Sequence, residues 1–506
     1  MTRYESHEDI PQATSSNGLG GVPDLTAKLI DKEDEAGADA TPCTRGEVQE
    51  RSCRDVIFAL LFIAMVIGVA VVAGIKGFPA LHEDKDNSKK KLTGVLYYAL
   101  STCAISIAFS GIALLVLNTF TEYIIVGSLL FSMAVSLGLA ISCVFMGNIF
   151  GVVIGLLSFS LGLCYFCMIQ NRIPFASANL KTGVAATKSN AGIFIVAYIF
   201  VAMSIVWIFI WMVALFGAFN GDKKCDANGN NCKYNINIGI MFLLFISIFW
   251  ATQVFVNSVH VVVAGVIGTW WFAPDNAKSC CSEAVQGSLF RTLTTSFGSV
   301  CFGSLVVAII QALKAIVESL RNNSGNDAAD NCCLCCFECI LNCIEDVAEY
   351  FNKYAFVYVG LYGYSYMEAG KNVMTLFDLR GFSVIISDQL VSSALNFMTL
   401  SVALISAGIG ILINHSNPEW LREFSGSKNG PSFDINGNNT NLTMPAFLIS
   451  FTVGIIICHT LMGVLDSAVN TVIVCFAEAP GEFEENHPEH SQRMRAAWLQ
   501  VYQFEP

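Results

Sequence analysis

The sequence predicts an all-α polytopic membrane protein with about ten transmembrane helices. Hydrophobic residues make up 54% of the 506-residue chain and charged residues only 13%, whereas soluble domains carry about 25% charged residues. The mean hydropathy is +0.57, and the apolar residues form blocks near the ~20 residues that span hydrocarbon. Because backbone polar groups in lipid must be bonded within their own segment, each block is predicted to be a helix.

Hydropathy divides the chain into ten candidate spans. They lie at 56–75, 94–117, 123–146, 149–169, 191–217, 236–267, 293–317, 349–367, 387–413 and 446–476. We therefore expect a transmembrane domain at 56–476, between a disordered acidic N-terminal tail at 1–55 and a C-terminal tail at 477–506. The span at 349–367 is expected to be short and interrupted by glycine.

Two loops between spans predict the orientation of this multi-pass protein, with both termini cytosolic. The plasma membrane is the expected location, and an organellar membrane remains open. The loop at 218–235 holds Cys225 and Cys232, which are spaced to close a disulfide ring in an oxidising compartment. The loop at 414–445 carries three N-glycosylation acceptors, which are usable only on the lumenal side. These acceptors are Asn414, Asn438 and Asn441.

The motifs that would indicate other functions do not occur in the sequence. The basic residues are scattered and form no basic stripe, so nucleic-acid binding is not expected. The chain has no nucleophile elbow, zinc-protease helix motif or phosphate-binding loop, so it is predicted not to be an enzyme and to need no cofactor. The segment "HPEH" at 487–490 is interpreted as solvated surface on a polar tail rather than as a metal site.

Six of the nineteen cysteines lie in "CCLCCFECILNC", between Cys332 and Cys343. Zinc sites usually bring thiolates together from two separated pairs, and this stretch has no second arm. Lumenal disulfides, cytosolic palmitoylation and an interfacial helix rich in small apolar thiols all remain open as interpretations.

Polar residues inside the predicted spans are the candidates for a transport site, because such residues are costly in lipid and tend to face the bundle interior. In the sixth and tenth spans they recur at helical spacing, which places each set on one face of its helix. The two sets are Trp250, Gln253, Asn257 and His260, and His459, Asp466 and Asn470. The alternative interpretation is that these groups hydrogen-bond between helices without binding any ligand.

The stretch at 349–371 adds tyrosine rings and a carboxylate to these candidates. Gly360 and Gly363 interrupt an apolar segment that ends early at Glu368, and short, glycine-interrupted segments are typical of transporter sites. Aromatic faces beside a carboxylate suit a quaternary ammonium, although tyrosines also anchor helices at membrane interfaces. The tyrosines concerned are Tyr358, Tyr362 and Tyr364.

Several motifs resemble the choline transporter-like family, solute carrier family 44, and especially its fungal and protist members, over most of 51–500. They are "CRDVIF" (53–58), "GTWWF" (268–272), "SFGSVCFGSLVVAIIQALK" (296–314), "FNKYAFVYVGLYGYSYMEAGKN" (351–372) and "VLDSAVNTVIVCFAEAP" (464–480). The resemblance implies about ten helices, cytosolic termini, and sodium-independent movement of choline or, in some members, ethanolamine. Where the family pattern reads Tyr-Gly-Lys, this chain has Tyr364 after Gly363, a departure that bears on the substrate.

These observations together predict a carrier for choline or a related small organic cation, embedded in the lipid bilayer. Ring faces would come from Trp250, Tyr358, Tyr362 and Tyr364, and negative charge from Glu368 or Asp466. Gln253, Asn257, His260 and His459 would orient the hydroxyl of the ligand. The alternatives are a proton-coupled transporter of another solute and a non-transporting membrane scaffold whose acidic tails recruit partners.

Overall fold

The computed structural model describes most of the chain and confirms the all-α membrane fold. The described residues are 48–50, 52–78, 88–220, 223–225, 232–234, 238–280, 282–323, 328–380, 384–417 and 443–502. The N-terminal tail up to residue 47 and the acceptors Asn438 and Asn441 lie outside these ranges. We number the helices and strands in chain order.

The elements include long helices, shorter helices that connect or flank them, and one two-stranded hairpin. They are α1 (Val56–Val72, continued by a π-helical turn at Ala73–Gly77), α2 (Ser88–Thr119), α3 (Thr121–Phe145), α4 (Ile149–Ile169), α5 (Ile173–Ser189), α6 (Gly192–Asn220), β1 (Lys223–Cys225), β2 (Cys232–Tyr234), α7 (Ile238–Phe272), α8 (Glu283–Leu293), α9 (Phe297–Asn323), α10 (Ala328–Tyr362), α11 (Tyr366–Arg380), α12 (Val384–Ser416), α13 (Thr443–Glu478), α14 (Pro480–Asn486) and α15 (Pro488–Tyr502). Single 3₁₀ turns precede α5 and follow α7.

Nine helical segments in the described part of the chain are long and apolar enough to cross a membrane. They correspond to nine of the ten predicted spans. The remaining prediction, 349–367, covers the last part of α10, the break at 363–365 and the start of α11. Helix α10 has 35 residues and also contains the cysteine-rich stretch. Residues 352–362 of α10 are mostly buried, so the last part of this helix runs through the interior of the bundle.

Two helices lie where the hydropathy analysis found no span. Helix α5 follows α4 almost directly and is largely buried, even though its buried residues include Ser177 and Thr182. Its Gly183 lies against Val469 of α13, where a Cβ atom would come within 2.8 Å of the valine side chain. Helix α8 is amphipathic and begins at Ser282, whose hydroxyl accepts a hydrogen bond from the Val285 amide. Hydropathy misses both helices because their buried faces are built from small and polar residues.

Helix α10 ends at a glycine in the left-handed region. Gly363 has φ of +77°, and its amide donates to the carbonyl of Val359 at 3.1 Å. This is the αL form of helix C-cap, in which glycine is favoured because it has no Cβ atom. Residues 363–365 therefore separate α10 from α11, and the glycine-interrupted segment predicted from the sequence is confirmed at this position.

Several helix ends meet at one end of the bundle, which we call the break end because it contains the α10–α11 break. Asp55 precedes α1 and accepts hydrogen bonds from Ser299 Oγ at 2.7 Å and from the Tyr366 amide at 3.0 Å. The indole of Trp271 donates to the carbonyl of Ala479 at 3.2 Å. These contacts place the starts of α1, α9 and α11 beside the ends of α7 and α13.

The described residues that border the two loops predicted to face outward lie at the opposite end of the bundle. Helices α7 and α13 contain 35 and 36 residues, and a helix of that length extends about 50 Å. Because both helices finish at the break end, their first residues, Ile238 and Thr443, lie at the far end.

The backbone at this far end is described in part. Cys225 and Cys232 are directly opposite each other in the antiparallel β1–β2 pair, and their disulfide remains a prediction. Asn414 lies in the last turns of α12 with its side chain buried. This position suits a bulky glycan less well than the exposed loop that the sequence predicted.

The cysteine-rich stretch is helical and forms the first part of α10. The thiols of four of its residues are exposed on the helix surface, and these residues are Cys335, Cys336, Cys339 and Cys343. Among the residues that the structure describes, no group of three or more metal-binding side chains converges.

The C-terminal segment is packed onto the bundle, so the interpretation of "HPEH" as solvated surface is wrong for its two half-buried histidines, whereas Pro488 and Glu489 are exposed. The His487 ring stacks on Trp270 with 3.7 Å between ring centroids, and its Nε2–H donates to the Trp270 carbonyl at 3.0 Å. Phe483 stacks on Trp271 at 3.9 Å. Trp270 and Trp271 of "GTWWF" therefore form the surface on which α14 and α15 pack, a contact that hydropathy cannot show.

Candidate functional site

A cavity of about 520 Å³ lies between six helices in the middle of the bundle. This volume is within the range of about 300–1,000 Å³ for small-molecule sites. The sixth helix, α9, contributes the apolar Val307. The polar and charged lining residues are Ser204 on α6; Gln253, Asn257 and His260 on α7; Glu349, Asn352 and Lys353 on α10; Ser392 and Asn396 on α12; and His459, Thr460, Asp466 and Ser467 on α13. Five of the residues predicted from the sequence are in this set.

A lysine held by two carboxylates forms the charged part of the cavity wall. Lys353 Nζ lies 2.8 Å from Asp388 Oδ1 and 3.1 Å from Asp466 Oδ2. We call these three residues the lysine–carboxylate cluster. It joins α10, α12 and α13, and Asp466 and Lys353 line the cavity while Asp388 stands behind them.

Asp466 has further hydrogen-bond donors besides the lysine. Ser392 Oγ donates to Oδ1 at 2.8 Å, and Asn470 Nδ2 donates to Oδ2 at 3.2 Å. Hydrogen bonds to the ionised form favour a carboxylate. Asn470 thus supports Asp466 from behind rather than lining the cavity, and this explains the predicted face of α13.

His260 is held at both ring nitrogens. Its Nε2 lies 2.8 Å from the backbone carbonyl of Lys353 and its Nδ1 lies 2.7 Å from Ser467 Oγ. A carbonyl can only accept, so Nε2 carries the proton. Nδ1 is a hydrogen-bond partner of the Ser467 hydroxyl, which also lies 2.9 Å from the Gly463 carbonyl. The ring therefore fixes the backbone of α10 to α7 and α13, and this role differs from the predicted contact with a ligand hydroxyl.

The amides on α7 line the cavity and also bond to a neighbouring helix. Gln253 Nε2 donates to Gln311 Oε1 at 3.3 Å, and Asn257 Nδ2 donates to Ser304 Oγ at 3.0 Å. The two interpretations made from the sequence, a lined cavity and interhelical bonding, thus both apply to these residues. His459, one helix away, is exposed at the cavity.

Trp250 lies on the same predicted face of α7 but is packed away from the cavity. Its indole donates to the Cys301 carbonyl at 2.9 Å, and its ring meets the edge of Phe62 at 5.4 Å. The Trp250 ring, which was expected to face a ligand, therefore packs in the contact among α1, α7 and α9.

The three predicted tyrosines contact one another instead of the cavity. Ring centroids of Tyr358 and Tyr362 are 5.3 Å apart, and each lies 6.2 Å from that of Tyr364. The Tyr362 hydroxyl donates to Glu478 Oε2 at 2.8 Å. We call this group the tyrosine cluster, and among the described residues that line the cavity none belongs to it.

The tyrosine cluster lies between the cavity and the break end. The lining residues closest to the break end are Lys353 on α10 and Ser467 on α13. Tyr358 lies about 8 Å beyond Lys353 along the axis of α10, in the direction of the break end. At the other side of the cavity, Glu349, Asn396 and His459 are exposed. In this conformation the cavity therefore ends at Lys353 and Ser467, and the tyrosine cluster lies beyond it toward the break end.

Glu368 has a structural role at the start of α11. Its Oε2 accepts from the Ser365 hydroxyl at 2.6 Å and lies 3.4 Å from the Ser365 amide. Ser365 is the N-cap and Glu368 the third helical residue, which is the spacing of a capping box. The side chain is exposed and lies outside the cavity, so of the two acids predicted for the site only Asp466 lines it.

The sequence reasoning missed much of the charged wall. Lys353 and Asp388 lie inside the predicted spans 349–367 and 387–413, close to the first residue of each, but neither belongs to a set of polar residues at helical spacing, so neither was predicted. The aromatic faces at the cavity are also different from those predicted, because Phe200 and Phe255 line it, with centroids 6.4 Å apart. A search for every charged residue inside the predicted spans would have found both Lys353 and Asp388.

Glycines allow the central helices to approach closely. A Cβ atom on Gly360 of α10 would lie 2.6 Å from the Val261 carbonyl oxygen of α7, and one on Gly303 of α9 would lie 2.6 Å from the Phe356 ring of α10. Helix α10 is thus clamped between α7 and α9, and this holds Asn352 and Lys353 against the cavity.

The sequence comparisons agree with this architecture. The profile of the plasma-membrane choline transporter family matches residues 152–481, which includes every residue of the lysine–carboxylate cluster and of the tyrosine cluster. This region is well over half of the chain.

Curated fungal proteins are similar over still longer stretches. Protein PNS1 of Eremothecium gossypii is 29% identical over 430 residues, covering 83% of this chain and 75% of its own length. Protein PNS1 of Kluyveromyces lactis is 28% identical over 483 residues, covering 90% and 83%. Protein PNS1 of Saccharomyces cerevisiae is 26% identical over 466 residues, covering 88% and 83%. With the family profile and the central cavity, these matches show that the chain is a membrane transporter, not an enzyme, and belongs to the choline transporter-like family.

Proposed function

We propose that this protein carries choline or a related small organic cation across the plasma membrane, without coupling to sodium and with both termini in the cytosol. The observation that carries the proposal is the charge of the cavity wall. Three carboxylates, Glu349, Asp388 and Asp466, lie at or just behind the wall, together with one ammonium, that of Lys353. When all three acids are ionised, the excess negative charge favours a cationic ligand.

Aromatic rings at the cavity support a quaternary ammonium in particular. Such a cation has no N–H group to donate, so it is held by charge and by ring faces, which contribute about 2 kcal/mol or more when desolvated. Phe200 and Phe255 line the cavity and supply apolar rings within the same space as Asp466. The polar groups of Gln253, Asn257 and His459 provide partners for a hydroxyl.

The α10–α11 break supports a carrier mechanism. Discontinuous helices near the middle of a bundle are the elements that move between access states in many transporters. Here the break is next to the tyrosine cluster, so movement of 363–365 would open or close the path between the cavity and the break end.

Uptake of radiolabelled choline into proteoliposomes tests the proposal. We expect saturable uptake above that of empty liposomes, equal in sodium and in potassium media and insensitive to an imposed pH gradient. Asp466→Asn should lower this uptake at least ~10-fold, the effect of losing about 1.4 kcal/mol of interaction.

Glu345→Gln is the matched control, because Glu345 also pairs with a lysine, Lys314, at 2.8 Å but lies outside the cavity. It should retain uptake within about 2-fold, as expected for a partly exposed ion pair. Uptake equal to that of empty liposomes would remove the proposal. Uptake that requires a pH gradient would instead support proton-coupled transport of another solute.

A further inference from the structure

The lysine–carboxylate cluster contains one cation for two buried or half-buried acids. Asp388 is only 8% exposed and its charge is paired with Lys353. Asp466 faces the cavity and is paired with the same ammonium. Because an unpaired carboxylate inside a membrane protein is costly, the lysine serves both acids when the cavity holds no other cation.

The two carboxylates differ in what they would retain if the lysine moved. Asp466 would still accept hydrogen bonds from Ser392 and Asn470, so its position and ionised form would be kept while its charge became available to the cavity. Asp388 would remain a partner for Lys353. In the empty cavity the Lys353 ammonium is the one cation shared by the two carboxylates. When a cationic ligand is bound, Lys353 can pair with Asp388 and the ligand with Asp466.

The surroundings of Lys353 hold its backbone and leave its side chain as the movable part. The Lys353 carbonyl accepts from His260 Nε2 at 2.8 Å. The neighbouring Asn352 donates to the Gly303 carbonyl at 3.0 Å and accepts from the Tyr366 hydroxyl. A lysine ammonium on its flexible four-carbon stem can shift over a few ångströms by changes of rotamer.

We propose that the Lys353 ammonium acts as a tethered cation that occupies Asp466 in the empty carrier and withdraws to Asp388 when a substrate cation binds. This inference rests on the proposed function and adds to it a means by which the unloaded carrier changes its access state. Without a substrate, the lysine neutralises Asp466, and the empty carrier can return to the access state in which it binds the next substrate. With a substrate, the incoming ammonium replaces the lysine at the same carboxylate.

The test separates two fluxes of radiolabelled choline in proteoliposomes. Net uptake into choline-free liposomes requires the empty carrier to return, whereas exchange against internal choline requires only the loaded carrier. In Lys353→Met, the empty carrier has no cation at Asp466, so we expect net uptake to fall at least ~10-fold and exchange to fall far less, by about 3-fold or under.

Three further variants make the result interpretable. Lys353→Arg keeps a cation and should restore net uptake in part. The double variant Lys353→Met with Asp388→Asn removes the orphaned Asp388 charge, and it provides the same test if the single variant does not fold. Lys314→Met, which breaks the lysine pair with Glu345 outside the cavity, should change both fluxes in equal proportion.

Each outcome decides between the proposals. A ratio of exchange to net uptake that rises in Lys353→Met, and not in Lys314→Met, supports the tethered cation. An equal loss of both fluxes, or no loss of either, in a folded variant overturns it and leaves the proposed function in place. Wild-type protein that takes up no choline overturns both.

Discussion

The cavity and the tyrosine cluster both include residues of α10, yet their polar groups have opposite surroundings. Lys353 at the cavity and Tyr358 in the cluster are about 8 Å apart along the helix axis. At the cavity, Lys353 lies on a wall open to small molecules and pairs with Asp388 and Asp466. At the tyrosine cluster, the rings of Tyr358 and Tyr362 are 4% and 5% exposed and pack on each other.

This difference shows that a polar residue in a predicted span does not by itself indicate contact with a ligand. A charged side chain inside the bundle needs a partner or water, so it gathers other polar groups around a cavity. A tyrosine can bury its ring and satisfy one hydroxyl at a helix end, as Tyr362 does with Glu478. Under the proposed function, the first arrangement would bind the substrate and the second would close its path.

The largest expected effect is at the α10–α11 break, beside the tyrosine cluster. Gly363→Val would place a β-branched residue at φ of +77°, which costs about 3 kcal/mol at the upper end of the range for such strain. We expect a lower melting temperature in detergent and loss of choline uptake. Gly287→Ala is the control, since nothing lies within 4 Å of a Cβ atom there. An unchanged melting temperature for the valine variant would contradict the role of this glycine.

The second effect concerns which rings meet the substrate. Phe255→Leu keeps most of the apolar volume but removes a ring from the cavity wall, so the dissociation constant for choline should rise about 10-fold. Tyr364→Leu removes a ring from the tyrosine cluster and should change this constant less than about 2-fold. Titration of purified protein with labelled choline measures both. A larger rise in the dissociation constant for Tyr364→Leu than for Phe255→Leu would indicate that the tyrosine cluster binds choline.

A smaller effect distinguishes capping from binding at Glu368. Glutamine can replace glutamate in a capping box and alanine cannot. Glu368→Ala should therefore lower the free energy of unfolding by about 1 kcal/mol, while Glu368→Gln should behave like the wild type. Affinity for choline should be unchanged in both. A loss of affinity shared by the alanine and glutamine variants would mean that the carboxylate charge acts on the substrate.

The smallest effect is a pH dependence at the C-terminal helices, away from both regions. Burial against Trp270 lowers the pKa of His487, more than its bond to the Trp270 carbonyl raises it. The folded pKa is thus below the ordinary value near 6.5, so the contribution of neutral His487 is present above that value and is lost as the pH falls. We expect weaker docking of α14 and α15 by a few tenths of a kcal/mol at pH about 5.5.

Hydrogen exchange of the amides in 488–502 measures this docking at two pH values. His487→Phe keeps a ring for stacking and should reduce the pH dependence. Burial also lowers the pKa of His490, so the variant His490→Asn separates the two histidines. The comparison uses protection factors, that is, exchange rates relative to the intrinsic rate at each pH. If these protection factors in the wild type do not fall on acidification, the buried neutral state of His487 is not what holds the segment.

The hydropathy pattern predicted most of the fold because length and composition alone decide whether a helix can cross lipid. It missed α5 and α8, whose buried faces contain small and polar residues, and it took residues 477–506 for a tail because their packing on Trp270 and Trp271 depends on distant partners. Helical periodicity predicted the cavity faces of α7 and α13 to within one residue each, Trp250 and Asn470.

The sequence by itself determined that this chain is a helical membrane protein of the choline transporter-like family, with polar residues inside its spans. Only the tertiary structure decided which of those residues share a cavity. Periodicity assigns a side chain to a face of its own helix, but what that face meets depends on the rotation and spacing of neighbouring helices. Lys353, Asp388 and Asp466 come from three helices, and their contact exists only after the bundle has assembled.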